Sequence, residues 1–337
     1  MQRAFYSFRE QAKFSTGVND CLITMTEILV KIKSLFGSQG KGVVLLLIIA
    51  LGAVFPQLHI FTFLIQYLLM LMLFLAFLDL KFTPQMLDKS VFGILLANIT
   101  VAFIGYFLLV PHDTTLALAA FMTGIAPTAI ATPVMVNLIK GKVQYVISSV
   151  LITNIVIAVI IPLSLPFLLG SHIRISILDV LRPVLIVMFV PMLLAWLASR
   201  LPYQTQTILR KGKSWSFTIW SLNLLIVSSN ASHFLRTQNS SFTLKLVEIA
   251  LVGLVICMVN FGTGALIGGR KFWQEASQSL GQKNLSFVIW VSLAFINPLV
   301  AMGPTFYVLY HHIYNSWVIY QYERKCARMD HLQEHAI

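Results

Sequence analysis

Charge is scarce in this chain. Of its 337 residues 11% are charged, and 12 acidic side chains stand against 24 lysines and arginines. A soluble globular protein carries about 25% charged residues, so most of this surface faces something other than water. The three cysteines, Cys21, Cys257 and Cys326, are far apart and odd in number, which excludes a disulfide framework and metal-ligand spacing. The first forty residues lack a charged start followed by a short apolar core and a small-residue cleavage site, so no secretory signal is expected there. Paired carboxylates, a His–Glu metal set and an activated nucleophile are all missing. Neither an enzyme nor a cofactor or metal is expected.

What is there is apolar. Hydrophobic residues make up 58% of the chain, and the mean hydropathy is +0.82. Bilayer hydrocarbon is about 30 Å thick, so a helical span needs roughly 20 apolar residues. The sequence reads as ten such spans, at roughly 41–56, 60–79, 90–110, 114–139, 143–169, 177–199, 215–235, 243–268, 271–298 and 302–322. The ninth is polar from Phe272 to Asn284, and hydropathy alone would start it at Leu285. The first is short enough to be re-entrant. The formal charge of +12 does not indicate nucleic acid, because the basic residues lie in the gaps between apolar runs.

Those gaps also set an orientation. With the N-terminus inside, 19 of the 24 basic residues fall on the inner side, among them Lys81, Lys89, Lys140, Lys142, Arg210, Lys211, Arg270 and Lys271. The positive-inside rule predicts this bias, and an odd number of spans would scramble it. An integral, multi-pass protein of a plasma or inner membrane is therefore expected, with both termini cytoplasmic. Residues 1–40 form a basic tail. There Leu22, Met25, Leu29, Ile32 and Phe36 recur at helical spacing, which fits either an interfacial helix or a chance pattern. Residues 41–322 form the ten-helix domain, and 323–337 a C-terminal tail.

Two spans are interrupted. The fourth contains Ala126-Pro127-Thr128-Ala129-Ile130-Ala131-Thr132-Pro133, and proline both removes a backbone donor and clashes with the preceding turn. The ninth has Gly281-Gln282-Lys283-Asn284. The fourth and ninth are matching members of two five-helix halves, and breaks at corresponding positions point to a transporter's central site. The alternative is a pair of kinks that only shape the packing.

These residues resemble the bile acid:sodium symporter family. The family's fourth-helix break runs Cys-Pro-Gly-Gly-Thr-Ala-Ser-Asn and continues to Ala-Lys-Gly-Asp. Here the same stretch is Ala126 to Pro133, continuing to Ile139-Lys140-Gly141-Lys142. Leu80-Lys81-Phe82-Thr83-Pro84 is similar to the family's Leu-Thr-Leu-Thr-Pro, and Pro162 matches a fifth-helix proline. Gly281-Gln282-Lys283-Asn284 is similar to Gly-X-Gln-Asn, and Tyr310-His311-His312-Ile313 to Trp-His-Asn-Leu. The resemblance implies an all-α polytopic membrane protein of two inverted five-helix repeats. Spans 1, 2, 6 and 7 would form a panel domain and spans 3–5 and 8–10 a core domain, with helices 4 and 9 crossing at their breaks. It implies a secondary transporter of a small organic solute, an organic anion by preference, working by alternating access in the lipid bilayer. Thr128, Ala129, Ile130, Asn284 and His312 would line the substrate site.

The departures fall on the ion sites. Carried over residue by residue, the family's ninth-helix Glu and Gln become Ser279 and Lys283. The fourth-helix Ser and Asn become Thr132 and Pro133, the fifth-helix hydroxyl pair becomes Val150 and Asn154, and the third-helix Gln becomes Asn98. The set loses its carboxylate and gains an ammonium, so sodium binding is not expected. A charge near the bilayer centre costs several kcal/mol and is a functional signal by default. Lys283 has four readings: a permanent substitute for the ion, a proton carrier that would couple transport to protons, a partner for an anionic solute, or a side chain that snorkels to the inner face. Asn223, Ser228, Ser229 and Asn230 on the seventh span face either a cavity or other helices. A different functional class remains open, a non-transporting sensor or partner-binding protein on the same fold.

Overall fold

The computed structural model describes residues 40–78, 88–170, 176–237 and 242–334. The interfacial pattern of Leu22 to Phe36 and the Leu80–Pro84 motif lie outside the described residues. The chain divides after Leu47. Of the first unit, 40–47 is described, as the opening turns of α1 (Gly40–Val54). Every contact below belongs to the second unit.

Past α1, Pro56 opens a 3-10 stretch over Pro56–Phe63 that leads into α2 (Leu64–Phe77). The helices then follow as α3 (Lys89–Leu109), α4 (Thr114–Ile125), α5 (Thr132–Leu138), α6 (Val143–Leu169) and α7 (Ile177–Ala198). A short α8 (Tyr203–Lys211) and a 3-10 turn (Gly212–Trp215) precede α9 (Ser216–Thr237). The last are α10 (Phe242–Gly281), α11 (Leu285–Phe295) and α12 (Pro298–Glu334). The described residues contain no strand, only one isolated bridge.

Local chemistry sets the helix ends. Asp88 caps α3 by accepting the Ser90 N–H at 2.9 Å. Ser176 and Asp179 form a capping box at α7, satisfying donors that a helix start otherwise leaves free. Ala126 is extended, with ψ 131, because a residue before proline is pushed out of the helical region. That ends α4, and α5 restarts with Pro133 in its first turn, where proline costs no hydrogen bond. In α10, Gly269 adopts φ 55 and Phe272 leaves helical geometry, so the element is two helices folded back on each other. A Cβ at Gly264 would lie 2.5 Å from the Ala276 carbonyl oxygen, so only glycine permits the two arms to approach this closely. This agrees with reading the eighth and ninth spans as separate. The polar stretch Trp273–Gly281 is helical, and hydropathy alone misses it.

By length and composition four helical stretches among the described residues could cross a membrane: α3, α6, α7 and Leu244–Gly281 of α10, the last containing the fold-back at Gly269. α2, α4 and α11 are apolar but shorter. Large apolar side chains face outward, such as Leu108 at 73% and Leu266 at 82% exposure, while Asn98, Asn154, Gln278 and Lys283 are buried. Apolar exterior and polar interior together fit a protein solvated by hydrocarbon. The chain is an all-helical, membrane-embedded protein. α2 packs against α7 and α9, whereas α3, α4, α10 and α12 pack among themselves.

Asp113, between α3 and α4, accepts the Leu116 N–H at 2.8 Å and pairs with Lys245 at the start of α10. Burial alone would raise its carboxyl, but the bonds from Lys245 and Leu116 outweigh burial and hold it below the usual carboxylate value. A lowered carboxyl contributes stability above its unfolded pKa and loses it as pH falls through the folded value. Asp113→Asn keeps a capping oxygen but loses the charge paired with Lys245, so it should cost up to about 1 kcal/mol at neutral pH, the scale of a partly exposed ion pair. In thermal melts from pH 7 to pH 3 the gap to wild type should close toward the acid end. A gap independent of pH would show that the ion pair contributes nothing.

Candidate functional site

The break after α4 and the break after α10 meet. Thr128 and Lys283 form an antiparallel bridge. The Ala129 N–H donates to the Gln282 carbonyl at 2.8 Å, and the Asn284 N–H to the Pro127 carbonyl at 2.7 Å. Four helix ends converge there: the C-termini of α4 and α10 and the N-termini of α5 and α11. Helix ends leave backbone groups unpaired, and none can be left so in hydrocarbon, so each should have an identifiable partner.

Many of those partners can be named. On the α4 side, the Gly124 carbonyl accepts from Lys283 Nζ at 2.9 Å. The Ala126 carbonyl accepts from Asn98 Nδ2 at 3.1 Å, with Ile125 at 3.4 Å. The Thr128 carbonyl accepts from Asn154 Nδ2 at 2.9 Å, and the Thr128 N–H donates to Thr153 Oγ1 at 3.1 Å. On the α10 side, Ser279 O accepts from Thr128 Oγ1 at 2.7 Å, and Gly281 O from Tyr307 Oη at 2.7 Å. Lys283 Nζ also donates to Asn98 Oδ1. Lys283 itself is 2% exposed, which removes the reading in which it snorkels to a membrane face.

All five ion-site equivalents, Asn98, Thr132, Asn154, Ser279 and Lys283, are buried at or beside this crossing. Thr132 Oγ1 bonds the Ala129 carbonyl at 2.6 Å, whereas Ser279 Oγ has no hydrogen-bond partner among the described residues. The substrate-side set divides. Thr128 is buried and its hydroxyl is committed to Ser279 O. Ala129, Ile130 and Asn284 differ from it: Ile130 and Asn284 are half-buried, and Ala129 lies beside them. Asn284 Nδ2 reaches Asn154 Oδ1 at 3.3 Å. His312 lies apart from that bridge, its ring 5.1 Å from Trp220 of α9 and 4.4 Å from His311.

Some contributors escape sequence reasoning. Residue-by-residue carry-over places the α6 positions at Val150 and Asn154, but the hydroxyls that reach the crossing are Ser149 and Thr153, one residue earlier. One residue is about 100° around a helix, so only the packing decides which face looks inward. Glu275 acts structurally, since its carboxylate accepts the Lys142 N–H at 2.8 Å and caps α6. Tyr307 and Asn260, bonded at 3.2 Å, buttress the α10 break; a lone Asn in the apolar run Val255–Phe261 is the available signal. On α9, Ser228, Ser229 and Asn230 bond Ile49 O, Phe55 O and Thr62 Oγ1 at 2.6–2.7 Å, so they serve interhelical packing. Both carboxamide atoms of Asn223 are buried without a partner among the described residues, and nothing in the structure explains them. No group of three or more His, Cys, Asp or Glu among the described residues could hold a metal ion.

No family model matches the chain. It is 23% identical over 194 residues to a protein of Bacillus subtilis (strain 168) named "Uncharacterized protein YbaS"; the match covers 56% of this chain and 63% of that relative. The chain therefore aligns with less than two thirds of the relative's length.

Proposed function

We propose that this chain is a secondary transporter that carries a small organic solute, an organic anion, by alternating access, as a distant member of the bile acid:sodium symporter family. The observation that carries the reading is the bridge between two helix breaks at Thr128 and Lys283. Interrupted helices at matching positions of two halves are how transporters build a site near the bilayer midplane. In this reading ten spans form two inverted five-helix repeats with both termini cytoplasmic, in a plasma or inner membrane. α1, α2, α7 and α9 form the panel, and α3–α6 with α10–α12 the core. The solute meets Ala129, Ile130 and Asn284, the more open members of the crossing, with His312 on the panel-facing side beside Trp220. An anion is favoured because α11 starts beside Asn284, on the open side of the crossing, where a helix start carries partial positive charge, and no carboxylate is among the bonded groups just named.

One observation supports the rival class, a sensor or partner-binding protein. The crossing satisfies many of its freed backbone groups from within the protein and so has little need of a ligand to complete it. The two readings separate in one experiment. Purified protein is melted against a panel of small organic acids, with sodium or choline as the cation, and the stabilising acids are then tested for uptake into proteoliposomes. Transport predicts saturable stabilisation and uptake, both unchanged when choline replaces sodium. Stabilisation without uptake supports the sensor. A roughly ten-fold, sodium-specific stimulation would overturn the loss of sodium coupling.

A further inference from the structure

We propose that Lys283 is a tethered cation: its ammonium permanently fills a monovalent-cation site formed by the end of α4 and Asn98. The site is defined by oxygen. Nζ bonds Asn98 Oδ1 and the Gly124 carbonyl. Asn98 is oriented for this, because its Nδ2 is anchored on the Ala126 and Ile125 carbonyls, which turns Oδ1 toward Nζ. The carbonyls of Gly124, Ile125 and Ala126 are the last of α4, and a helix C-terminus carries partial negative charge. Half-helix ends with unwound carbonyls are where transporters hold their coupling cations. A lysine ammonium has three donors and no acceptor, and its two bonds here both go to neutral oxygens.

The tether matters as much as the charge. Lys283 comes from the break between α10 and α11, while its partners belong to α3 and α4. One side chain therefore bonds the two breaks to each other beside the Thr128–Lys283 bridge. A free cation would have to displace an ammonium that cannot diffuse away, so this position is closed to sodium, potassium and lithium. The inference concerns a site and its occupant, and it stands whether or not the chain carries a solute.

The test is cation rescue, read by thermal melting without any solute. Wild type, Lys283→Ala and Lys283→Met are purified in detergent in choline chloride. Sodium, potassium or n-propylammonium chloride then replaces choline at constant ionic strength. Wild type should move by less than about 1 °C, and Lys283→Ala should melt about 5 °C lower or more, the shift expected for loss of a buried bonded charge. Sodium or n-propylammonium should restore much of that loss saturably, because the truncated side chain leaves both the oxygens and the space of its stem. Lys283→Met refills the stem and should stay low with n-propylammonium. If Lys283→Ala does not fold, Lys283→Met decides: a melting temperature equal to wild type would show that the lysine only fills space. A Lys283→Ala protein indifferent to every cation, or a wild type stabilised saturably by sodium, would also overturn the proposal. Failure of uptake in the solute experiment would leave these melts unaffected, so the two conclusions fail separately.

Discussion

Gly281→Ala should lower the melting temperature by about 5 °C, and its loss should be less than additive with that of Phe261→Ala. Gly281 ends the first half of the ninth span with its backbone against the Phe261 ring, and a Cβ there would fall inside that ring. The ring cannot swing clear. It is 3% exposed, and its centroid lies 3.9 Å from that of Tyr314. The backbone is pinned as well, because Gly281 O accepts from Tyr307 Oη and Phe261 O accepts from Ser277 Oγ at 2.8 Å. Gly281 is not among the positive-φ residues, so what demands glycine is the close approach. Overpacking of this kind costs about 1–3 kcal/mol. Truncating Phe261 costs stability on its own by leaving a cavity, but it makes room for the new methyl. The double mutant should thus be more stable than the sum of the single losses, by a coupling of about 0.5–3 kcal/mol. Strictly additive losses would mean that ring and break do not touch.

This contact marks where the sequence stops being legible. The break at 281–284 can be read because a glycine followed by polar residues interrupts an apolar pattern. That Phe261 closes over it cannot, since the partner lies on the other arm of a hairpin whose turn, Gly269 to Phe272, carries no proline. The break at Pro127 is legible for the stronger reason that proline deletes a donor outright. The α8 helix and the 3-10 turn after it leave no mark between the sixth and seventh spans, because Tyr203–Lys211 has few apolar residues and buries none of them. Glu275 reads as a charge near a span end. Its role as a cap for α6 depends on a carboxylate 133 residues away in sequence from the N–H it accepts. Thr128, Thr132, Ser279, Lys283 and Asn284 fall at the crossing because they lie in the two breaks or within a few residues of them, and Asn98 of α3 joins them through its bonds to Ala126 O and Lys283. On α6 only the hydroxyls slip: Ser149 and Thr153 reach the crossing one residue before the expected Val150 and Asn154, while Asn154 itself bonds the Thr128 carbonyl.

That bond makes Asn154 a sharp test of what holds the crossing together. Its carboxamide donates to the Thr128 carbonyl at 2.9 Å and to the Val150 carbonyl at 2.8 Å, and its Oδ1 accepts from Asn284 Nδ2 at 3.3 Å. Asn154→Leu substitutes a side chain of similar shape and deletes all three bonds. Val150 O retains its place in the α6 ladder. Thr128 O does not, because it belongs to the unwound segment and has no helical partner. A buried polar group left unsatisfied costs about 1–3 kcal/mol; Thr128 O is left so, whereas Asn284 is half-buried and its Nδ2 can turn to another partner, which makes the loss about 1–3 kcal/mol. Ser279→Ala is the matched control. Ser279 is as buried as Asn154 and just as close to the crossing, yet its hydroxyl has no hydrogen-bond partner among the described residues. Deleting that hydroxyl removes an unsatisfied group and should leave the melting temperature unchanged or slightly raised. Denaturation of both variants in one detergent distinguishes the outcomes. Equal losses would mean that burial alone matters at this site. A large loss for Asn154→Leu beside none for Ser279→Ala would mean that the crossing is held by the particular bonds that satisfy its broken backbone.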